Sequence, residues 1–142
     1  MRAQVLRALV LAALAAGLYN AGPTGARAEE AFVTNQLSDD LMVVDIGTLR
    51  SVAIIPIGGK PAGIAVSADG RFAYVTSPDA KVVTVVDAAS RQVAGRIEVG
   101  GGPLGIAVAP DGKTVYVADW YAAAVRVIDA ASRSVTASVA VG

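Results

Sequence analysis

The chain is expected to be all-β, built from about three four-stranded antiparallel units of which the first lacks its leading strand. Three observations predict this. From Ala31 onward the apolar residues come in short runs rich in Val and Ile, broken by Gly, Pro, Asp and Ser, the pattern of strands between turns. Shifted against itself by about 42 residues, the chain lays Pro61 on Pro103, Gly63 on Gly105, and Tyr74-Val75 on Tyr116-Val117. Turn signals recur in phase with it, Asp69-Gly70 with Asp111-Gly112 and Asp45 with Asp87 and Asp129.

The N-terminal segment is of a different kind. Arg2 and Arg7 flank its start, Ala8 to Leu18 is an apolar run, and a polar tail ends in Ala26-Arg27-Ala28. This is the make-up of a secretory signal peptide over residues 1–28 with an A-x-A cleavage site, leaving a mature part of residues 29–142. The apolar run is about half the roughly 20 residues that a membrane span needs, so no stable membrane anchor is expected after cleavage. Location is therefore expected to be periplasmic or secreted.

The first three strands are read as Ala31 to Thr34, Leu41 to Val44 and Val52 to Ile55, matching the last three strands of the full unit. Gly58-Gly59-Lys60-Pro61 leads into the first complete unit. Its opening strand, Gly63 to Val66, starts small, as suits a crowded centre where backbones approach closely. Phe72 to Thr76, Val82 to Val86 and Gln92 to Val99 follow, and the adjacent apolar pair Val85-Val86 requires cover on both sheet faces. The last unit starts at Gly102-Pro103-Leu104-Gly105 and runs through Ile106 to Val108, Thr114 to Val117, Val125 to Ile128 and Val135 to Val141.

Asp45, Asp87 and Asp129 each close a third strand before a Thr or Ser three residues on. A catalytic carboxylate is needed once, whereas a turn is needed in every repeat, so these are read as Asx-type turn caps. Asp69-Gly70 and Asp111-Gly112 are read as turns in which Asp accepts backbone N–H groups and Gly takes the positive φ.

Composition excludes several chemistries. Without Arg2, Arg7 and Arg27 the mature part has nine basic and twelve acidic residues, a net charge of about −3, with no basic cluster to hold nucleic acid. Cys 0 excludes thiolate metal sites, iron–sulfur clusters and covalently attached c-type haem. His 0 removes the commonest metal ligand and the usual general base, so neither a Ser/His/Asp nor a Cys/His set can form. No catalytic, metal or cofactor-binding residue is assigned.

The strings Ala73-Tyr74-Val75-Thr76-Ser77, Ala31-Phe32-Val33-Thr34-Asn35 and Val115-Tyr116-Val117-Ala118-Asp119 resemble the YVTN family of β-propeller repeats. The accompanying Pro-x-Gly-Ile-Ala-Val-x-x-Asp-Gly and Val-x-Val-[Val/Ile]-Asp-Ala-Ala-Ser strings are similar to the same family, over nearly all of residues 31 to 142. The resemblance implies a partial β-propeller of exported type. Its relatives include surface-layer proteins, proteins accompanying PQQ-dependent quinoprotein dehydrogenases, and the heavy-chain propellers of methylamine dehydrogenase. A ring takes 4 to 8 blades, roughly 170 residues at the least, against about 114 in the mature part. The terminal sheet faces are then association sites, to be covered by further blades in cis or in trans or by a protein partner.

Function on such a scaffold belongs to variable rim loops. The loops between second and third strands differ most, and one of them carries the single Trp, Trp120, next to Tyr121. Asn35, Asp119, Trp120 and Tyr121 are the candidate partner-binding residues. The aromatic pair is either a contact anchor or packing over the blade edge. Asp39-Asp40 supplies too few oxygens for calcium and is read as a solvated loop. The expected function is a non-catalytic binding or scaffold module, accessory to a periplasmic PQQ/quinoprotein or cytochrome redox system. The alternatives are a piece of a propeller enzyme, of amine dehydrogenase heavy-chain or lactonase type, with its active residues outside this chain, and a structural cell-envelope repeat protein.

Overall fold

The structure is a computed structural model and describes residues 29–142; the signal peptide expected over residues 1–28 lies outside the described residues. Eleven strands make three antiparallel sheets, here numbered as blades. Blade 1 has three strands, β1 (Glu30–Asn35), β2 (Asp40–Asp45) and β3 (Arg50–Pro56). Blade 2 has four, β4 (Ile64–Val66), β5 (Phe72–Ser77), β6 (Val82–Asp87) and β7 (Gln92–Glu98). Blade 3 repeats them as β8 (Pro103–Val108), β9 (Thr114–Asp119), β10 (Ala124–Asp129) and β11 (Ser134–Ala140). In every sheet consecutive strands are neighbours, so each blade is a meander.

The blades stack face to face in chain order, which is why strands such as β6 are apolar on both sides. One core lies between blades 1 and 2, where Leu41, Val43, Ile55 and Ile57 meet Ala73, Val75 and Val86. The other lies between blades 2 and 3, where Tyr74, Val83, Val85, Ile97 and Val99 meet Val115, Val117 and Ile128. Val85 and Val86 thus serve opposite cores, each fully buried aliphatic side chain contributing roughly 1.5 to 3 kcal/mol. Gly63 is small because of this stacking: a Cβ there would sit 2.2 Å from the Leu104 carbonyl oxygen of the next blade.

Polar clips repeat along the stack at the same spacing as the sequence. Thr34 Oγ1 donates to the Ala62 carbonyl at 2.8 Å, and Thr76 Oγ1 donates to the Leu104 carbonyl at 2.8 Å, one blade later. A second clip depends on a bulge. Each outermost strand pair shifts register, at Val43/Val44, Val85/Val86 and Val127/Ile128, leaving one unpaired residue on the outer strand. The spare carbonyls of Val52 and Ala94, at the first two bulges, accept the guanidiniums of Arg91 and Arg133 from the following blade.

Hairpin turns obey the same period. Asp39, Lys81 and Ala123 end the loops between second and third strands, and Leu49, Arg91 and Arg133 end those between third and fourth, all with φ between 45° and 59°. In the latter loops the Oδ1 atoms of Asp45, Asp87 and Asp129 accept from the backbone N–H and hydroxyl of Thr48, Ser90 and Ser132. Those backbone and hydroxyl donors, in that order of weight, hold all three carboxyls below the ordinary carboxylate range. Asp69 Oδ1 accepts from the Ser67 hydroxyl and the Arg71 N–H, and Asp111 Oδ1 from the Lys113 N–H. Gly70 and Gly112 follow at φ 68° and 70°.

Candidate functional site

The loops between second and third strands and the crossovers between blades share one rim, because antiparallel meanders return both to the same end. Backbone hydrogen bonds tie them together. The Asp39 carbonyl accepts from Ile57 and Gly58, the Lys81 carbonyl from Val99 and Gly100, and Trp120 N–H donates to the Gly102 carbonyl. The loop at Asp39-Asp40 is solvent-exposed at Gln36, Leu37 and Ser38, and its two carboxylates are also engaged in bonds of their own. Asp39 Oδ1 also accepts from Lys60 N–H at 2.8 Å, and Asp40 Oδ1 accepts from Asn35 Nδ2 at 2.8 Å. Asn35, one of the residues singled out in the sequence, is thus partly buried and engaged within its own hairpin.

Trp120 and Tyr121 project from the corresponding loop of blade 3, 75% and 80% exposed. What supports them is a buried carboxylate paired with a partly exposed guanidinium. Asp119 is 3% exposed, its Oδ1 accepting from Gly102 N–H at 2.9 Å and Ala122 N–H at 3.1 Å, its Oδ2 from Arg126 Nη2 at 2.9 Å. Burial raises the pKa of this carboxyl, and the Gly102 N–H, the Arg126 guanidinium and the Ala122 N–H outweigh it, so the net displacement is below the ordinary value.

Of the four residues singled out in the sequence, Asp119 is thus the one held inward, its oxygens bonded to the crossover, its own loop and β10. The sequence signal for this was available: in blade 2 the same two positions hold Ser77 and Thr84, both buried with hydroxyls that find no partner among the described residues, and in blade 3 they become an acid and a base together. Gly101 and Gly102 are required by the same cluster. A Cβ at Gly101 would fall 2.0 Å from Asp119 Oδ2, and one at Gly102 would fall 2.4 Å from the Tyr121 ring.

Beside the aromatic pair lies an apolar groove of about 310 Å³ lined by Leu104, Ala118, Trp120, Ala124 and Val141 among others. It is the upper part of the free face of blade 3. Among the described residues no group of three or more His, Cys, Asp or Glu is placed to hold a metal ion. The arrangement offers contact area and shape rather than acid, base or nucleophile.

Stacked four-stranded meanders with an incomplete first blade define a segment of a β-propeller. The chain belongs to the family described as YNCE-like beta-propeller, whose model matches residues 6–108. Among solved structures it is similar to hydrazine synthase of Kuenenia stuttgartiensis, with 34% identity and a TM-score of 0.74 over 77% of this chain and 32% of that one. Its fold is similar to that of the dihydro-heme d1 dehydrogenase NirN in complex with DHE, at 23% identity and a TM-score of 0.70, over 79% of this chain and 24% of that one. It is likewise similar to that of apo AztD from Citrobacter koseri, at 24% identity and a TM-score of 0.63, over 73% and 30%. The chain spans a third or less of the length of each of these. Comparison with curated proteins returns no match.

Proposed function

We propose that this chain is an exported, non-catalytic binding module that presents Trp120 and Tyr121 to a protein partner of a periplasmic redox system. The observation that carries this reading is the pairing of two highly exposed aromatics with a buried, ion-paired support. Exposed aromatics on a fixed backbone bind at small entropic cost, since little is left to order. Export is supported by the Met1 to Ala28 segment. The redox setting is supported by the similarity to chains named for hydrazine synthesis and for dihydro-haem d1 dehydrogenation. The same similarity favours a second reading, in which this chain is part of a redox enzyme whose reacting groups lie outside it.

Trp120 is the sole tryptophan, so its fluorescence reports on the rim alone. A c-type cytochrome or a quinoprotein dehydrogenase binding there is expected to quench it saturably. Tyr121→Ala should weaken that binding by about 2 kcal/mol, roughly thirtyfold in Kd. Emission unchanged by both partners would remove the rim assignment. Turnover of amines or lactones by the chain with a redox dye would replace it with the enzymatic one.

A further inference from the structure

Each blade ends in an outer strand whose far edge meets no further strand of its sheet, so that edge offers backbone donors and acceptors to whatever comes beside it. The register says which residues offer them. Ile57, Val99 and Val141 spend their N–H groups across the hairpin on the Asp39, Lys81 and Ala123 carbonyls. Alternation along an antiparallel ladder then turns outward the N–H and C=O of the first and third residues before each of them. These are Pro56 and Ile54 in blade 1, Glu98 and Arg96 in blade 2, and Ala140 and Ser138 in blade 3. The bulges at Val52, Ala94 and Thr136 lie outside these stretches, which are regular.

The three edges differ at those two positions. In blade 1 one of them is proline, which has no N–H to give. In blade 2 both carry charge: Glu98 is exposed, and Arg96 reaches back to the Ile57 carbonyl at 3.0 Å. Charged side chains on an edge hold water and resist a second strand. In blade 3 the positions hold Ser138 and Ala140, and β11 is exposed along its whole length without a charge, a proline or a glycine. The charged groups beside it are already taken, Arg126 by Asp119 and the Ser138 hydroxyl, Arg133 by the Ala94 carbonyl, and Asp129 by Ser132. Among the described residues β11 is thus the one outer strand that keeps both outward donors and carries nothing to repel a partner.

We propose that β11 pairs edge to edge with β11 of a second copy of this chain, antiparallel, about a two-fold axis at Val139. In that register Ser138 lies opposite the partner's Ala140 and the two residues exchange both N–H···O bonds. The two-fold axis repeats the exchange, so four backbone hydrogen bonds form. Val139 then meets the partner's Val139, and Ala137 meets the partner's Val141, with no charge in any cross-strand pair. A second copy is the occupant because the stretch from Ala137 to Val141 is its own complement: the donors and acceptors it offers, two residues apart, are the ones it needs. The edge stays open whatever lies against the front of blade 3. Because the paired strands run in opposite directions, the two aromatic rims point opposite ways, and neither Trp120 nor Tyr121 takes part. Either reading can therefore fail without the other.

Paired edges bury little area, the class of weak contacts below about 1,200 Å², so the test is sedimentation equilibrium from roughly 10 μM to 1 mM. The chain is expected to pass from monomer to dimer over that range. Amide hydrogen exchange at the same concentrations should slow at Ser138 and Ala140, and stay unchanged at Ile54, Arg96 and Glu98. Ala140→Pro copies Pro56 of blade 1 and removes two of the four bonds, which should weaken the dimer by about tenfold or more. Ala140→Glu copies Glu98 of blade 2, should weaken it as well, and decides the matter should Ala140→Pro fail to fold. A monomer throughout, association that leaves exchange at Ser138 and Ala140 unchanged, or folded variants that associate as the parent does would each overturn the proposal.

Discussion

Blades 2 and 3 carry nearly the same string of residues, yet their fates differ. Tyr74 is 3% exposed and its counterpart Tyr116 43%; Ile97 is 2% exposed and its counterpart Val139 52%. The front of blade 2 lies against blade 3, while the front of blade 3 meets no other sheet among the described residues. Burial is therefore a property of the stack and not of the repeat. The polar clips differ in the same sense, for the position of Thr34 and Thr76 holds Ala118 in blade 3, and that of Arg91 and Arg133 holds Leu49 in blade 1. The free faces keep the apolar residues of the inner ones without these two hydrogen-bonding devices.

The sharpest way to break the comparison is to cut the matching side chains of both fronts back to alanine. Ile97→Ala should cost about 3 kcal/mol in urea unfolding, through lost burial and the cavity left behind. Val139→Ala should stay within about 0.5 kcal/mol, as for other exposed positions. Equal losses would mean that the front of blade 3 is covered in solution.

Thr76→Val comes next. Its hydroxyl accepts from Gly63 N–H at 2.8 Å while donating to the Leu104 carbonyl, so an isosteric methyl leaves two backbone groups facing it unmatched. The expected loss is about 2 kcal/mol. Ala118→Thr, with no blade to receive its proton, should leave the unfolding midpoint where it was.

The smallest effect is drawn out by acid. The Asp119 carboxyl is held below its ordinary value in the fold, so it contributes stability fully above the unfolded value of about 3.9 and loses it as pH falls through the lower folded one. Asp119→Asn should remove that contribution, giving a shallower fall in urea midpoint below about pH 4 than the parent shows. Asp45, Asp87 and Asp129 remain to supply the rest of the acid sensitivity in both proteins.

Much of this was legible in the sequence because it is local and periodic. Strand and turn positions follow from alternation of Val runs with Asp-Gly and Asp-x-x-Ser signals, each decided within a few residues. The rim loop was marked by the single Trp, but the sequence left open whether the aromatic pair projects or packs over the blade edge. What the sequence did not disclose are partnerships made across blades. Arg91 and Arg133 reach carbonyls 39 residues earlier, and nothing beside them in the chain marks that purpose. The bonds of Asp119 were hidden in the same way, since its partners, Gly102 and Arg126, come together only when the crossover folds over β9 and β10.

The spare carbonyl at each bulge has one more consequence. Because the arginine that seeks it sits at a left-handed turn of the next sheet, the spacing from the first bulge to Arg91 and from the second to Arg133 is held at the same 39 residues. One residue added between bulge and turn would carry the guanidinium past its target. A unit duplicated whole, by contrast, brings its own arginine and its own acceptor, and joins the row with nothing to redesign. Such a device lets a gene lengthen by copying while forbidding it to drift in spacing.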